Sequence, residues 1–342
     1  MSTTKGIVLM NLGSPDSTSV KDVRRYLNEF LMDERVIDVP YLWRLLLVKG
    51  IISPFRAPKS AEAYKCIWTD KGSPLIDFTR QLQHSLQMLV TEPVEIAMRY
   101  GDPSPQVAFE RLMQRIPELG EVILVPLYPH YAMSSYETAA EYAKEIHSKK
   151  KYSFKLSIVD PFYENVDYIN ALTESIRPFM QSEFDHLLFS YHGIPERHVH
   201  KTDITGNHCL MSADCCATPS PAHAFCYRHQ IITTTNLVAK QLQLPKEKFS
   251  FSFQSRLGRD EWLKPYTAMR LEEMPAEGIK KLIIVCPAFV SDCLETLEEI
   301  AIRGKEDFLN AGGESLTFVP CLNVNPMWVK TLKELVYAAA DA

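Results

Sequence analysis

The chain has 342 residues, enough for about two domains and for a core that needs no disulfide staples. Its composition, 46% hydrophobic and 23% charged with a formal net charge of −5, carries no basic excess and excludes general nucleic-acid binding. The opening has no signal-peptide pattern, and no apolar run reaches the ~20 residues of a membrane span, so a cytoplasmic protein is expected.

In chain order, short β-like runs alternate with longer helical ones. Residues 6–12 (GIVLMNL), 94–100 (VEIAMRY), 121–127 (EVILVPL) and 153–159 (SFKLSIV) read as buried strands. The second half repeats the pattern at 185–191 (DHLLFSY), 250–253, 280–285 and 315–319. Their near-continuous apolar character suits parallel sheets covered on both faces. Helical periodicity fills the gaps, as at 21–32, 135–149 and 294–309. Such alternation implies an α/β fold with open, doubly wound sheets.

Three short motifs recur in the same order. Leu12-Gly13-Ser14-Pro15 matches His192-Gly193-Ile194-Pro195, and Arg99-Tyr100-Gly101-Asp102 matches Arg256-Leu257-Gly258-Arg259. Glu137-Thr138 matches Glu295-Thr296, each after a strand and a proline/aromatic turn. Two like-folded halves are expected, residues 1–160 and 161–325, followed by a helix over 326–342 that packs back on the body. Ligands of such sheets bind beyond the carboxyl ends of the strands, which puts His192, Arg99, Arg256 and Glu295 at the edges of one cleft. No G-x-G-x-x-G, P-loop, G-x-S-x-G or H-E-x-x-H pattern occurs, so dinucleotide, phosphate-loop, serine-hydrolase and zincin chemistry are not indicated.

Four stretches carry chemistry. His192 stands at a strand end on a Gly-Ile-Pro turn, where an imidazole can take or give a proton or bind a metal; the plain alternative is a turn histidine satisfied by backbone. In Ser291-Asp292-Cys293-Leu294-Glu295-Thr296-Leu297-Glu298-Glu299, Glu295 and Glu299 lie four apart, placing two carboxylates on one helix face. Such a line can pass protons or a hard cation, or be a solvated acidic helix start. Trp262 and Tyr266, between Arg256 and Lys264, make an apolar wall with cationic edges, or else a core tryptophan in a loop. Residues 36–59 form an aromatic and aliphatic stretch broken by Asp38, Pro40, Arg44 and Lys49, suited to an amphipathic lip or a shallow membrane contact, or to an ordinary buried helix.

In combination, FSYHGIP, FQSR-x-G-x-x-x-WL-x-PYT, CPAF-x-SDCLETLEEI and the opening VLMNLGSP resemble the ferrochelatase family from about Lys5 to about Val336. The resemblance implies two Rossmann-like, chelatase-type domains, each a parallel four-stranded sheet flanked by helices, with the active-site cleft between them. It implies an enzyme that inserts Fe2+ into protoporphyrin IX to form protohaem, releasing two pyrrole protons. Residue by residue it puts the catalytic histidine on His192 and its paired glutamate on Glu295, with Fe2+ meeting His192, Glu295 and Glu299. Porphyrin contacts fall on Leu12, Arg56, Arg99, Tyr100 and Trp262. An apolar Leu12, where coproporphyrin-using relatives carry tyrosine, resembles the protoporphyrin branch. Cys293 stands where many members have histidine, and Arg303 where the line of carboxylates continues in some. The remaining alternatives are a coproporphyrin or other divalent-metal chelatase and a non-catalytic haem or iron sensor. Monomer and homodimer, and a peripheral contact with the inner membrane, are all compatible with the sequence.

Four of the eight cysteines, Cys209, Cys215, Cys216 and Cys226, fall in a loop over 198–229 that also holds five histidines. Four soft thiolates suit a [2Fe–2S] cluster or a tetrahedral zinc, or they remain reduced thiols. Some members of the resembled family carry a [2Fe–2S] cluster on a carboxy-terminal extension or an internal segment. With no cysteine-bearing tail here, the internal version is the one expected.

Overall fold

A computed structural model describes residues 4–256, 258 and 260–340. Leu257 and Arg259 of the second repeated motif, and the last two residues of the expected terminal helix, lie outside the described residues. The chain divides into two compact units, one made of Met1–Leu127, Met133–Asp160 and Val329–Ala342, the other of Tyr128–Ala132 and Pro161–Trp328. The short segment Tyr128–Ala132 therefore belongs with the second unit, although it follows the third strand of the first.

The first unit is built on β1 (Lys5–Gly13), β2 (Val94–Tyr100), β3 (Glu121–Pro126) and β4 (Lys155–Ile158). The second is built on β5 (His186–His192), β6 (Phe249–Gln254), β7 (Lys281–Val285) and β8 (Ser315–Val319). Each sheet is wholly parallel, and the two orders are the same, β2-β1-β3-β4 and β6-β5-β7-β8. The central strands are apolar on both faces. Ile7, Val8 and Leu9, like Leu187, Leu188 and Phe189, are fully buried. Removing each such side chain from water contributes about 1.5–3 kcal/mol, which strands solvated on one face would forgo.

The register aligns the halves residue by residue. Leu9 faces Ile96 and Val125; Phe189 faces Phe251 and Val285. Leu12 and His192 thus occupy one position, three residues further along. The same register sets Arg99 against Gln254, not against Arg256, so the second sequence motif matches two residues out of structural step. The connection explains why. Met98 N donates to Pro103 O, five residues on, whereas the equivalent Phe253 N donates to Pro265 O, twelve residues on. The second half has a longer turn there, and short motif matching slid along it.

Two glycines make the strand ends possible. Gly13 has φ +104°, and a Cβ on it would lie 1.8 Å from Tyr100 O. A Cβ on Gly193 would lie 2.9 Å from Gln254 O and 3.1 Å from the Trp262 ring. Both strands can therefore turn only where the following backbone passes unusually close.

The helix expected over 294–309 is interrupted. It runs as Leu294–Thr296, a π-helical stretch Leu297–Gly304, then Lys305–Asn310. Apolar periodicity cannot separate 3.6 residues per turn from one wider turn, so no local pattern marks it. The first half has a matching wide turn, Met133–Glu137, ahead of the helix Thr138–Lys150. A third, Leu46–Ile52, sits between the helices Tyr41–Leu45 and Ser53–Ile67. Wide turns of this type are uncommon and gather at functional sites. The last helix, Pro326–Ala340, buries Trp328, Leu332 and Val336, and Tyr337 Oη reaches Glu92 Oε2 at 3.2 Å.

Candidate active site

His192 is the last residue of β5 and is half-buried. Its Nδ1 lies 2.7 Å from the Gly193 carbonyl oxygen. A carbonyl only accepts, so the proton of the neutral ring sits on Nδ1 and the Nε2 lone pair is left basic. Phe289 stands edge-on to the ring at 6.3 Å between centroids.

Gln254, at the end of β6, ties the neighbouring groups together. It pairs with His192 in the sheet, its carbonyl accepts from Gly193 N at 2.8 Å, and its Nε2 donates to the Glu295 backbone carbonyl at 2.9 Å. Its Oε1 accepts from Ser190 Oγ at 2.7 Å. Glu299, in the wide turn, accepts from Ser255 N at 2.8 Å and from Ser255 Oγ. Ser255 has φ +66°, a strained backbone held in place by this carboxylate. Glu295 and Glu299 therefore both border the β6 end that flanks His192. Asp292 anchors the start of this helix, accepting from Thr296 Oγ1 at 2.9 Å and Asn323 Nδ2 at 2.7 Å. Burial and the nearby Glu295 carboxylate push the Cys293 thiol well above its ordinary range, so this cysteine stays protonated. Glu298 turns away to Arg303, at 3.2 Å.

Trp262 lies across the Gly193 turn, 8% exposed, bridging Pro195 in an antiparallel pair. Its indole N–H has no hydrogen-bond partner among the described residues. Arg256 sits over the Tyr266 ring at 4.8 Å. The second unit thus gathers His192, Trp262, Glu295 and Glu299 around Gln254 and Ser255.

The first unit treats its expected residues differently. Arg99 donates from Nε to Thr138 Oγ1 at 2.6 Å and from Nη2 to Asp33, and its guanidinium lies 4.4 Å from both the Tyr100 and Tyr142 rings. Tyr100 is fully buried and donates to Asp33 Oδ2 at 2.8 Å. Burial opposes the Asp33 charge, but Thr138, Arg99, the Arg35 amide and Tyr100 outweigh it and hold the carboxyl below its ordinary range. The adjoining cavity of about 230 Å³, lined by Asp33, Arg35, Arg44, Arg99, Thr138 and Tyr142 among others, is smaller than the ~300–1,000 Å³ of usual small-molecule sites. Leu12 is half-buried, and Arg56 is half-exposed with no hydrogen bond or ion pair among the described residues. Around Arg56 the stretch read as a lip presents Tyr41, Leu42, Trp43, Leu46, Ile51 and Phe55, each 58–75% exposed.

In the cysteine loop, Cys209, Cys215 and Cys226 are buried. Among the described residues no group of three or more His, Cys, Asp or Glu side chains could hold a metal ion about one point. The thiols instead lie in a chain of contacts, Cys209–Cys226–Cys216–Cys215. Cys215 and Cys216 sulfurs are 4.0 Å apart, and the Cys226 thiol bonds with Cys209 and with Cys216. Arg228 Nη1 donates to Cys216 Sγ at 3.2 Å and Cys215 Sγ at 3.7 Å. Burial pushes the Cys209 thiol up to about 11. Burial works against the Asp203 charge too, yet bonds from Thr205 and the amides of Cys209 and His208 hold its carboxyl well below the usual range.

Sequence reasoning missed Gln254, Ser255, Tyr227 and His130. Gln254 and Ser255 stand inside the FQSR motif and were read only as its spelling; nothing in the local pattern marks the other two.

Two parallel sheets of equal order, with polar groups collected at a carboxyl edge, make this a chelatase-type fold. A SirB of Bacillus subtilis solved with Fe3+ has TM-score 0.55 to this chain at 12% identity, covering 99% of this chain and 96% of that one. A sirohydrochlorin chelatase SirB of Bacillus subtilis subspecies spizizenii in complex with cobalt has TM-score 0.56 at 10% identity, with the same coverage. These likenesses show the fold. The family described as Ferrochelatase matches residues 4–340. The ferrochelatase of Ectopseudomonas mendocina is 50% identical over 342 residues, 99% of each chain. That of Pseudomonas fluorescens strain Pf0-1 is 50% identical over 335 residues, 97% of each. The chain belongs to the ferrochelatase family, and it is an enzyme of that type.

Proposed function

We propose that the chain inserts ferrous iron into protoporphyrin IX, with His192 as the base. The observation that carries this is the Nδ1–Gly193 bond, which leaves Nε2 free to accept a proton. A free-base porphyrin must lose two pyrrole protons as Fe2+ enters, and a planar ring hides its nitrogen lone pairs. Binding that distorts the ring exposes them. His192 Nε2 takes one proton; Glu295 and Glu299 take the second or pass it to solvent, and they offer hard oxygen ligands to the incoming ion. Product and protons balance without an oxidant: Fe2+ and a neutral porphyrin give ferrous porphyrin and two protons.

Trp262 supplies an apolar wall. Arg56 is the unpaired guanidinium we assign to a propionate, and Leu12, Arg99 and Tyr100 are assigned to the ring by the family pattern. Because Tyr100 is buried, its contribution passes through the Arg99 guanidinium stacked on it. The apolar Leu12 favours protoporphyrin over coproporphyrin. An anaerobic insertion assay with each porphyrin tests this: faster Fe2+ insertion into protoporphyrin supports it, and preference for coproporphyrin overturns it.

The cysteine loop is assigned a [2Fe–2S] cluster held by Cys209, Cys215, Cys216 and Cys226. A two-iron group takes four thiolates, two to an iron, and the chain of contacts that links all four sulfurs supports this reading. Bound, it adds a one-electron redox centre to the loop. Anaerobically purified protein should show visible charge-transfer absorption that Cys209→Ser removes; a colourless protein with full Fe2+-insertion activity contradicts the assignment. The exposed apolar ridge at Tyr41–Phe55 supports a peripheral membrane contact from the cytoplasm, and no helix among the described residues is long and apolar enough to cross a membrane. Co-sedimentation with anionic vesicles, lost on Trp43→Ser with Phe55→Ser, checks it.

A further inference from the structure

The peptide joining His192 to Gly193 is pinned at both ends. Its N–H donates to Gln254 O at 2.8 Å, and its carbonyl, that of His192, accepts from Tyr227 Oη at 2.8 Å. The next carbonyl, that of Gly193, is the one that holds Nδ1 of the His192 ring. A rotation of this peptide therefore moves the acceptor that selects the tautomer.

Tyr227 opens the helix Tyr227–Gln241, directly after Cys226, whose sulfur caps that helix by accepting from His229 N at 3.5 Å. The tyrosine ring is 5% exposed and stands edge-on to His130 at 6.1 Å; His130 also meets Tyr191 edge-on at 5.6 Å. His130 comes from the segment Tyr128–Ala132 and is 2% exposed. Its Nε2 lies 2.9 Å from Thr234 Oγ1, whose own proton goes to Tyr163 O at 2.7 Å. The His130 Nε2–H is therefore the donor, its Nδ1 carries only a lone pair, and the ring is a neutral prop behind Tyr227. With its ring buried against His130, the Tyr227 hydroxyl is held on the His192 carbonyl.

We infer that Tyr227 is a positioning residue for iron insertion: its hydroxyl fixes the His192–Gly193 peptide, so that the Gly193 carbonyl keeps the proton on Nδ1 and leaves Nε2 as the base. It touches no reacting atom. The inference rests on reading His192 as the base, and the test separates the two.

Tyr227→Phe keeps the ring and removes one hydrogen bond. It should lower kcat about tenfold, the loss one such bond brings, with KM for porphyrin within about twofold of wild type. The 15N resonances of His192 should lose their clear Nδ1–H signature. Unchanged kcat with unchanged 15N shifts overturns the proposal, as does a fall in kcat with the tautomer preserved. An Nε2–H tautomer at His192 in the wild type also contradicts the proposal, and should Tyr227→Phe fail to accumulate, Tyr227→Met, read the same way, takes its place. His192→Ala run in parallel distinguishes the failures. An active His192→Ala removes the reading of the base, whereas an inactive one beside a wild-type-like Tyr227→Phe removes only the role of Tyr227.

Discussion

At one structural position the two halves carry Leu12 and His192, and beside them Arg99 and Gln254. In the first half the polar groups close on one another. Asp33 collects Arg99, Tyr100 and Thr138, while Glu137 pairs with Arg35 at 3.1 Å. In the second half the same threonine position, Thr296, binds Asp292, but the adjacent Glu295 has no ion-pair partner among the described residues, and His192 keeps a free nitrogen. One half uses its carboxylates to hold its fold together. The other also ties Asp292, Glu298 and Glu299 to neighbours but leaves Glu295 without an ion pair among the described residues, and its longer turn after β6 carries Trp262. Two sheets of the same order thus differ in a few side chains at their carboxyl edges.

The glutamates offer the sharpest contrast. Glu295→Gln should reduce iron insertion about a hundredfold, as loss of a proton acceptor does, with its thermal unfolding unchanged. Steady-state assays with Fe2+ and protoporphyrin measure it. Asp33→Ala should instead destabilise the protein by about 3 kcal/mol in urea unfolding, because Arg99 is left largely buried without its partner. Wild-type stability there would mean that the first-half cluster does not hold the fold.

Acidification acts on the second half through His130. Burial lowers His130 from its ordinary 6.5 to about 3. The unfolded chain therefore binds a proton that the folded one refuses. The stability from this group is whole above pH 6.5 and falls as pH drops towards 3, by about 1.4 kcal/mol per unit at most. His130→Asn should flatten that slope in pH-dependent urea melts, and an unchanged slope would show His130 to be protonated in place. Smallest of all, Glu137→Gln should leave turnover intact and cost under about 1 kcal/mol, since the Arg35 pair is partly solvated. A turnover loss comparable to that of Glu295→Gln would erase the contrast between halves.

Much of this was legible beforehand. Eight apolar runs gave the eight strands, because a strand buried on both faces must be apolar throughout. The Leu12/His192 and Glu137/Glu295 matches gave the duplication. The place of His192 at a strand end before a Gly-Ile-Pro turn was legible. What stayed hidden depends on contacts between distant segments. The wide turn at Leu297–Gly304 has the apolar spacing of an ordinary helix, and the two-residue slip between Arg99 and Arg256 appears only once strands are paired. Gln254 binds His192 and Glu295 through partners as many as 62 residues away in sequence, so no local window could have shown it.

The central claim is that the imidazole at the end of β5 takes a pyrrole proton as Fe2+ enters. Single-turnover Fe2+ insertion by His192→Ala, with porphyrin binding followed by fluorescence in the same cuvette, puts it to the most direct trial. We predict tight binding and no haem formed over the time in which wild type completes its turnover. Haem appearing at close to the wild-type rate would contradict it.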